Sequence, residues 1–236
     1  MTASQKNRDG GTRHKYAVIV AGGKGIRMGN AVPKQYLTLA GKPVLYYAIH
    51  AFLTAYDDIG IILVHGTGDV PRVRRVVASF PEARITLLEG GENRFHSVRN
   101  GLAMIKEPAV VFVHDGVRPL VSQALIHACY RQALEKGSAI PALPLKDSIR
   151  RVVDGKNFSA DRSAFRNIQT PQTFLSEVLL PAFKLPFENV FTDEASVVER
   201  SGVPVHLIDG EPENIKITTP EDLWLAEQWL HSLDND

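Results

Sequence analysis

The first stretch with the makings of chemistry is AVIVAGGKGIRMGNAVPKQYL, from Ala17 to Leu37. An apolar run ends in glycines at 22, 23, 25 and 29, and two cations, Arg27 and Lys34, stand among and after them. Glycines let backbone N–H groups come close to a phosphate. An arginine fits a planar anion with several oxygens, and a lysine acts as a compact point charge. Together they suit a triphosphate, or the charge that builds on phosphorus during group transfer. The spacing is neither common nucleotide fingerprint. Met28 stands where the last glycine of a dinucleotide loop belongs, and no GxxxxGK[ST] occurs.

The elements that must position this loop follow from apolar patterning. YAVIVA (16–21), IGIILVHG (59–66), RITLLEG (84–90), AVVFVHDG (109–116) and SAIPALPL (138–145) read as buried strands. Helical spacing occupies 42–55, 70–80, 92–105 and 122–137, the last closed by Gly137. This alternation predicts a single Rossmann-like α/β domain, a mostly parallel twisted sheet flanked by helices. Such sheets bind ligands beyond the carboxyl ends of their strands. Three of those ends carry unusual residues: GGKGIRMG, GGENR and HDGVRP.

The pattern changes over 146–170, where SIRRVV and the region around FRNIQT, joined by DGKN, predict an extended β-arm. A lone hairpin is marginal in water, so the arm is expected to pack on something, such as a second subunit. Helices at 175–184 and 192–202, strands at 203–210 and 213–218 and a closing helix complete the reading. Thr219 suits that last helix's N-cap and Pro220 its first turn.

The 236 residues, 44% hydrophobic and 22% charged, suffice for a sizeable core without disulfides or a structural metal. A formal net charge of +1 argues against nucleic-acid or membrane binding through bulk charge. The one cysteine, Cys129, excludes an internal disulfide and a cysteine-clustered zinc site. It reads as a small buried apolar residue. Residues 1–15 read as a disordered polar leader and 16–233 as the domain. No apolar run approaches the roughly 20 residues that span a bilayer, and the expected compartment is the cytoplasm.

AGGKGIRMG followed by PKQY resembles the signature of sugar- and polyol-phosphate nucleotidyltransferases. With GGENRFHSV, HDGVRP, DRSAFRNIQTPQTF, TDEAS and ENIKITTPEDL in that order, the chain resembles the 2-C-methyl-D-erythritol 4-phosphate cytidylyltransferases of the non-mevalonate isoprenoid pathway. The likeness runs from about Tyr16 to Leu230, and six motifs in register are far more specific than any one.

The resemblance implies that CTP and methylerythritol 4-phosphate give CDP-methylerythritol and pyrophosphate. It implies that Arg27 and Lys34 stabilise the pentacoordinate transition state, and that Ala21, Gly22, Gly23 and Gly25 wrap the triphosphate. Gly91, Glu92 and Ser97 fall where the family reads cytosine. Glu92 replaces an aspartate found in some members, which preserves base contacts only if they use the backbone. Asp115, Gly116 and Arg118 fall near ribose and phosphates, with Asp115 touching Mg²⁺ directly or through water. Thr170 matches a nucleotide-side contact. Arg162, Thr192 and Lys216 match the positions that hold the alcohol phosphate, with Lys146, Asp147 and Ser148 as helpers. In the family the arm interlocks a homodimer, so Arg162 would act across the interface.

His65, His96 and His114 lack a metal-ligand spacing, and Trp224 and Trp229 read as packing. Three other readings stand beside the first. A ribitol-5-phosphate cytidylyltransferase shares the glycine loop and the HD-x-x-RP element, though TDEAS and DRSAF favour methylerythritol phosphate. A nucleotide-binding module without turnover is opposed by the presence of Arg27, Lys34, Arg162 and Lys216. A nicotinamide dehydrogenase is opposed by the missing third glycine.

Overall fold

The computed structural model describes residues 13–23 and 32–233. Strand β1 (His14–Ala21) leads to a 3₁₀ turn (Lys34–Tyr36) and a short hairpin, β2 (Thr38–Leu39) and β3 (Lys42–Pro43). Helix α1 (Val44–Ala55) then begins a regular alternation: β4 (Gly60–His65), α2 (Val70–Val77), β5 (Ile85–Glu89), α3 (Arg94–Leu102), β6 (Ala109–Asp115), α4 (Gln123–Lys136) and β7 (Ser138–Pro144). The arm is β8 (Ile149–Val153) and β9 (Lys156–Ala160). After it come β10 (Arg166–Ile168), β11 (Gln172–Leu175), α5 (Ser176–Ala182), α6 (Glu194–Arg200), β12 (Leu207–Asp209) and α7 (Pro220–Leu233).

Among the described residues, eight strands form one sheet. β1 lies at its centre, parallel to β4 on one side and β6 on the other, and β5 lies parallel beyond β4. β11 runs antiparallel between β6 and β7, while β12 pairs parallel with β7. The sheet is thus mostly parallel, within a single α/β domain as its alternation predicts.

Side chains of a strand point alternately to its two faces, so β1 feeds two cores. Ala17 and Ile19 pack with Leu45, Ile49 and Phe52 of α1 and Ile126 and Cys129 of α4. Val18 packs on the other face with Phe95 and Val98 of α3 and Val197 and Val198 of α6. Cys129 is fully buried, as its apolar surroundings require. A third cluster, Leu39, Val44, Leu120, Ile217 and Ala226, docks α7 beside the β2–β3 hairpin.

Several expectations change. β1 begins at His14, so His14 and Lys15 belong to the sheet rather than to a leader. The partner of SIRRVV is KNFSA, not FRNIQT. Asp154 and Gly155 both have positive φ (49° and 74°), the geometry of a two-residue hairpin turn, and this pairs Val153 directly with Lys156. Arg166–Ile168 pairs instead with β7 of the main sheet. QTFL forms β11, a strand absent from the sequence reading, and 213–218 is no strand but an irregular segment under the cleft. The strand expected over 203–210 contracts to Leu207–Asp209. Gly137 does close α4, in the left-handed conformation at φ 85°.

Candidate active site

The chain steps outward from β1 to β4 and β5, then crosses back to β6 on the other side of β1, which puts the switch point of the sheet between β1 and β6. A cleft of about 820 Å³ opens there, at the carboxyl ends of β1, β4, β5 and β6. Ala21, Gly22 and Gly23 form one wall, with Lys34 of the 3₁₀ turn beside them. Gln35 follows Lys34, is fully buried, and donates from Nε2 to the carbonyls of Ala21 (2.7 Å) and Gly23 (3.1 Å). Arg27 and Gly25 lie outside the described residues.

The opposite wall is the turn from Gly90 to Arg94. A Cβ on Gly91 would stand 2.4 Å from His96 Cβ, and one on Gly90 would stand 2.9 Å from Ser97 Oγ. Ser97 Oγ accepts from Gly91 N (3.1 Å) and donates to Asn93 O (2.9 Å), so its hydroxyl shapes the turn. Asn93 caps α3 by accepting from His96 N at 3.0 Å. Gly91, Glu92 and Ser97 all line the cleft, with Glu92 exposed.

Asp115 ends β6 and anchors an ionic cluster on the cleft floor. Its Oδ1 meets Nε and Nη2 of Arg94, each at 3.3 Å, and its Oδ2 meets Lys216 Nζ at 2.9 Å. Arg118 Nε stands 3.8 Å from the same Oδ2. Burial alone would raise the Asp115 pKa, but Arg94, Lys216 and Arg118 outweigh it and hold the carboxyl well below the usual carboxylate range. Arg94 also forms a fork-to-fork pair with Glu194, Nη1 to Oε1 and Nη2 to Oε2. Burial pushes the Glu194 carboxyl up, against the pull of Arg94.

Behind the floor, His114 is fully buried, and this burial lowers its pKa to about 4. The imidazole is therefore neutral at neutral pH. Its Nε2 donates to the Arg118 carbonyl (3.1 Å), which leaves Nδ1 to accept from the Thr170 hydroxyl (3.0 Å). Thr170 Oγ1 in turn accepts from Asp115 N at 3.1 Å.

Nine of the expected site residues therefore face one cleft: Ala21, Gly22, Gly23, Lys34, Gly91, Glu92, Ser97, Asp115 and Lys216. Gly116, Arg118 and Thr170 lie one layer beneath it rather than on its surface. A Cβ on Gly116 would meet Leu45 Cδ1 at 2.9 Å, and Arg118 Nη1 donates to the Asn214 carbonyl at 2.7 Å. Arg162, Asp147 and Ser148 are exposed around the arm, outside the cleft. Arg162 Nη1 donates to the Lys146 carbonyl, and Lys146 and Asp147 border a separate cavity of about 490 Å³. Thr192 is exposed just before α6, with its N–H donating to Ser196 Oγ at 3.2 Å. Sequence reasoning missed Gln35, Arg94 and Glu194, although each sits inside a quoted motif. The usable signal was charge within a capped helix start: Arg94 directly follows Asn93, and Glu194 follows Asp193.

An open α/β sheet with a glycine-walled, cation-floored cleft at its switch point defines a mononucleotide-binding domain. Residues 16–232 match the family IspD, 2-C-methyl-D-erythritol 4-phosphate cytidylyltransferase. The Porphyromonas gingivalis protein of that name is 45% identical over 220 residues, 92% of this chain and 98% of the relative. The one from Bacteroides fragilis is 42% identical over 215 residues, 91% and 98% of the two chains. The solved structure from Thermus thermophilus has a TM-score of 0.70 at 30% identity, covering 91% of this chain and 98% of that one. The Anaerococcus prevotii 4-diphosphocytidyl-2C-methyl-D-erythritol synthase has a TM-score of 0.80 at 27% identity, covering 93% and 99%. The chain belongs to the 2-C-methyl-D-erythritol 4-phosphate cytidylyltransferase family, and it is a nucleotidyltransferase.

Proposed function

We propose that this protein transfers a cytidylyl group from CTP to 2-C-methyl-D-erythritol 4-phosphate, releasing pyrophosphate, as a cytoplasmic step of non-mevalonate isoprenoid precursor synthesis. The observation that carries the reading is the cleft itself, with Lys34 and Lys216 both lining it beside the glycine turn in a chain of this family.

A phosphate oxygen of the alcohol phosphate attacks the α-phosphorus of CTP. A phosphorus–oxygen bond forms there as the bond to the β-phosphate breaks, and pyrophosphate leaves with the electron pair. Both reactants are anions, so the protein must offset repulsion and hold an in-line geometry. In this reading Lys34, with Arg27, faces the triphosphate and neutralises charge at the reacting phosphorus. Lys216 receives the incoming phosphate. Backbone groups of the Gly90–Glu92 turn read the base, which makes the carboxylate length of Glu92 immaterial.

Among the described residues, no three His, Cys, Asp or Glu side chains are grouped to hold a metal ion. Asp115 offers a carboxylate already matched by Arg94, Arg118 and Lys216. Among the described residues, Asp115 is the one that would hold magnesium beside the triphosphate. When bound, the ion would supply further neutralisation of the triphosphate's charge.

The arm supports a homodimer. Val152 is 68% exposed and Phe158 45%, apolar surface that a second copy would cover, bringing Arg162 to the partner's cleft. Among the described residues no helix is long and apolar enough to cross a membrane.

The test is pyrophosphate release with CTP and Mg²⁺ on methylerythritol 4-phosphate and ribitol 5-phosphate in parallel, with ATP, GTP and UTP as controls. Turnover with CTP and the first alcohol is expected. Turnover on ribitol phosphate alone, or none on either, overturns the assignment.

A further inference from the structure

We infer that Glu194 is a positioning residue for this transfer: through Arg94 it fixes Asp115, and through Asp115 it fixes the ammonium of Lys216. The inference rests on the proposed reaction.

Glu194 opens α6 and its side chain is 1% exposed. Burying a carboxylate is costly unless it is paired. Capping does not account for it, because Asp193 and Ser196 already satisfy the start of α6 as a reciprocal pair. Packing does not account for it either, because Ala195, Val197 and Val198 supply the apolar face of α6. What the carboxylate does is hold both outer nitrogens of Arg94.

That grip decides how Arg94 meets Asp115. With Nη1 and Nη2 engaged by Glu194, Arg94 reaches Asp115 only through Nε and a shared Nη2, both on Oδ1. Oδ2 is left to Lys216 at 2.9 Å, with Arg118 Nε farther off at 3.8 Å. The cluster holds three cations, Arg94, Arg118 and Lys216, against two carboxylates, so one positive charge remains. Lys216 is its most exposed member at 40% and presents that charge to the cleft. Without the charge of Glu194, the guanidinium is free to turn its fork onto both oxygens of Asp115, the geometry arginine prefers with a carboxylate. Lys216 then loses Oδ2 and its fixed position.

A double-mutant cycle in the full-length protein separates positioning from simple support. Pyrophosphate release is measured for wild type, Glu194→Gln, Lys216→Ala and the double variant, with melting temperatures alongside. Glu194→Gln keeps the size and an acceptor oxygen, and is expected to lower turnover about 10- to 100-fold. In the Lys216→Ala background the same substitution is expected to cost less than about threefold, because the group it positions is gone. A carboxylate that merely stabilised α6 would cost the same factor in both backgrounds, and that result overturns the inference, as does normal turnover in Glu194→Gln. If Glu194→Gln does not fold, Arg94→Lys replaces it in the same cycle. It keeps a cation beside Glu194 but cannot bridge both carboxylates, and the same two outcomes decide. Wild-type turnover distinguishes the failures: its absence defeats the proposed reaction, while normal wild-type turnover with equal factors defeats only the role of Glu194.

Discussion

The side-chain amide of Gln35 donates to the backbone carbonyl of Ala21 at 2.7 Å, joining two residues on either side of the glycine loop. The same nitrogen donates to Gly23 at 3.1 Å, so one buried amide fixes where the loop leaves β1 relative to Lys34. Gln35→Ala is expected to cost about 1–3 kcal/mol of stability, the usual consequence of leaving a buried partner unsatisfied. Turnover is expected to fall about tenfold or more, because displacing Lys34 by a fraction of an ångström degrades in-line geometry. Urea unfolding and pyrophosphate release check the two effects separately. Unchanged turnover would remove Gln35 from the support of the site.

Lys34→Ala and Arg27→Ala should each lower kcat by about 10²–10³-fold, the scale of removing one preorganised donor from a developing charge. The fold should persist, since Lys34 belongs to a three-residue turn at the cleft rather than to the sheet. Circular dichroism and steady-state kinetics suffice. Near-normal kcat in either variant contradicts its transition-state role.

Cys129 gives a pH prediction. Burial pushes its thiol up to about 12 from an ordinary 9.0. The unfolded thiol ionises near its ordinary value and the folded one does not. Stability from this group is thus whole below about pH 9, where the unfolded thiol begins to ionise, and is lost as pH rises toward 12. The slope is at most about 1.36 kcal/mol per pH unit. Cys129→Ala should flatten that part of the alkaline denaturation curve. In the native protein at pH 8 a thiol reagent such as Ellman's should find no reactive group, and in urea it should find one. Rapid native labelling would contradict the burial.

The arm predicts assembly. Phe158→Asp places a charge on its exposed apolar surface and should turn a dimer into a monomer in sedimentation velocity. Arg162→Ala should leave the dimer intact, raise KM for the alcohol phosphate and leave CTP affinity unchanged. A wild-type monomer at micromolar concentration would defeat both the dimer and the role of Arg162 across it.

How far the sequence reached depended on how local each signal was. The strands of the parallel half announce themselves as continuous apolar runs between helical segments, and β1, β4, β5 and β6 lie where that pattern puts them. β11 escaped because QTFL is only four residues long and follows Pro171. Its place between β6 and β7 is set by tertiary pairing, not by its own composition. The arm's register was misread because a distant β-like run was preferred to the immediate flank that a two-residue Asp-Gly turn selects. At the site, glycines and lone cations were legible, whereas Arg94 and Glu194 draw their roles from each other across 100 positions of chain. No single-sequence pattern encodes that pairing.

The insertion of β11 between β6 and β7 makes the sheet depend on residues that come late in the chain. The pairs among β1, β4, β5 and β6 use no residue beyond Asp115. β7 is made next, but it has no seat beside β6 until residues 172–175 emerge and fill the gap. Glu194 and Lys216 come later still. The Gly90–Arg94 turn and Asp115 thus belong to the earlier half of the chain, whereas the partner of Asp115 Oδ2, Lys216, belongs to its end. The cleft floor therefore has its full charge only with the last quarter of the polypeptide docked.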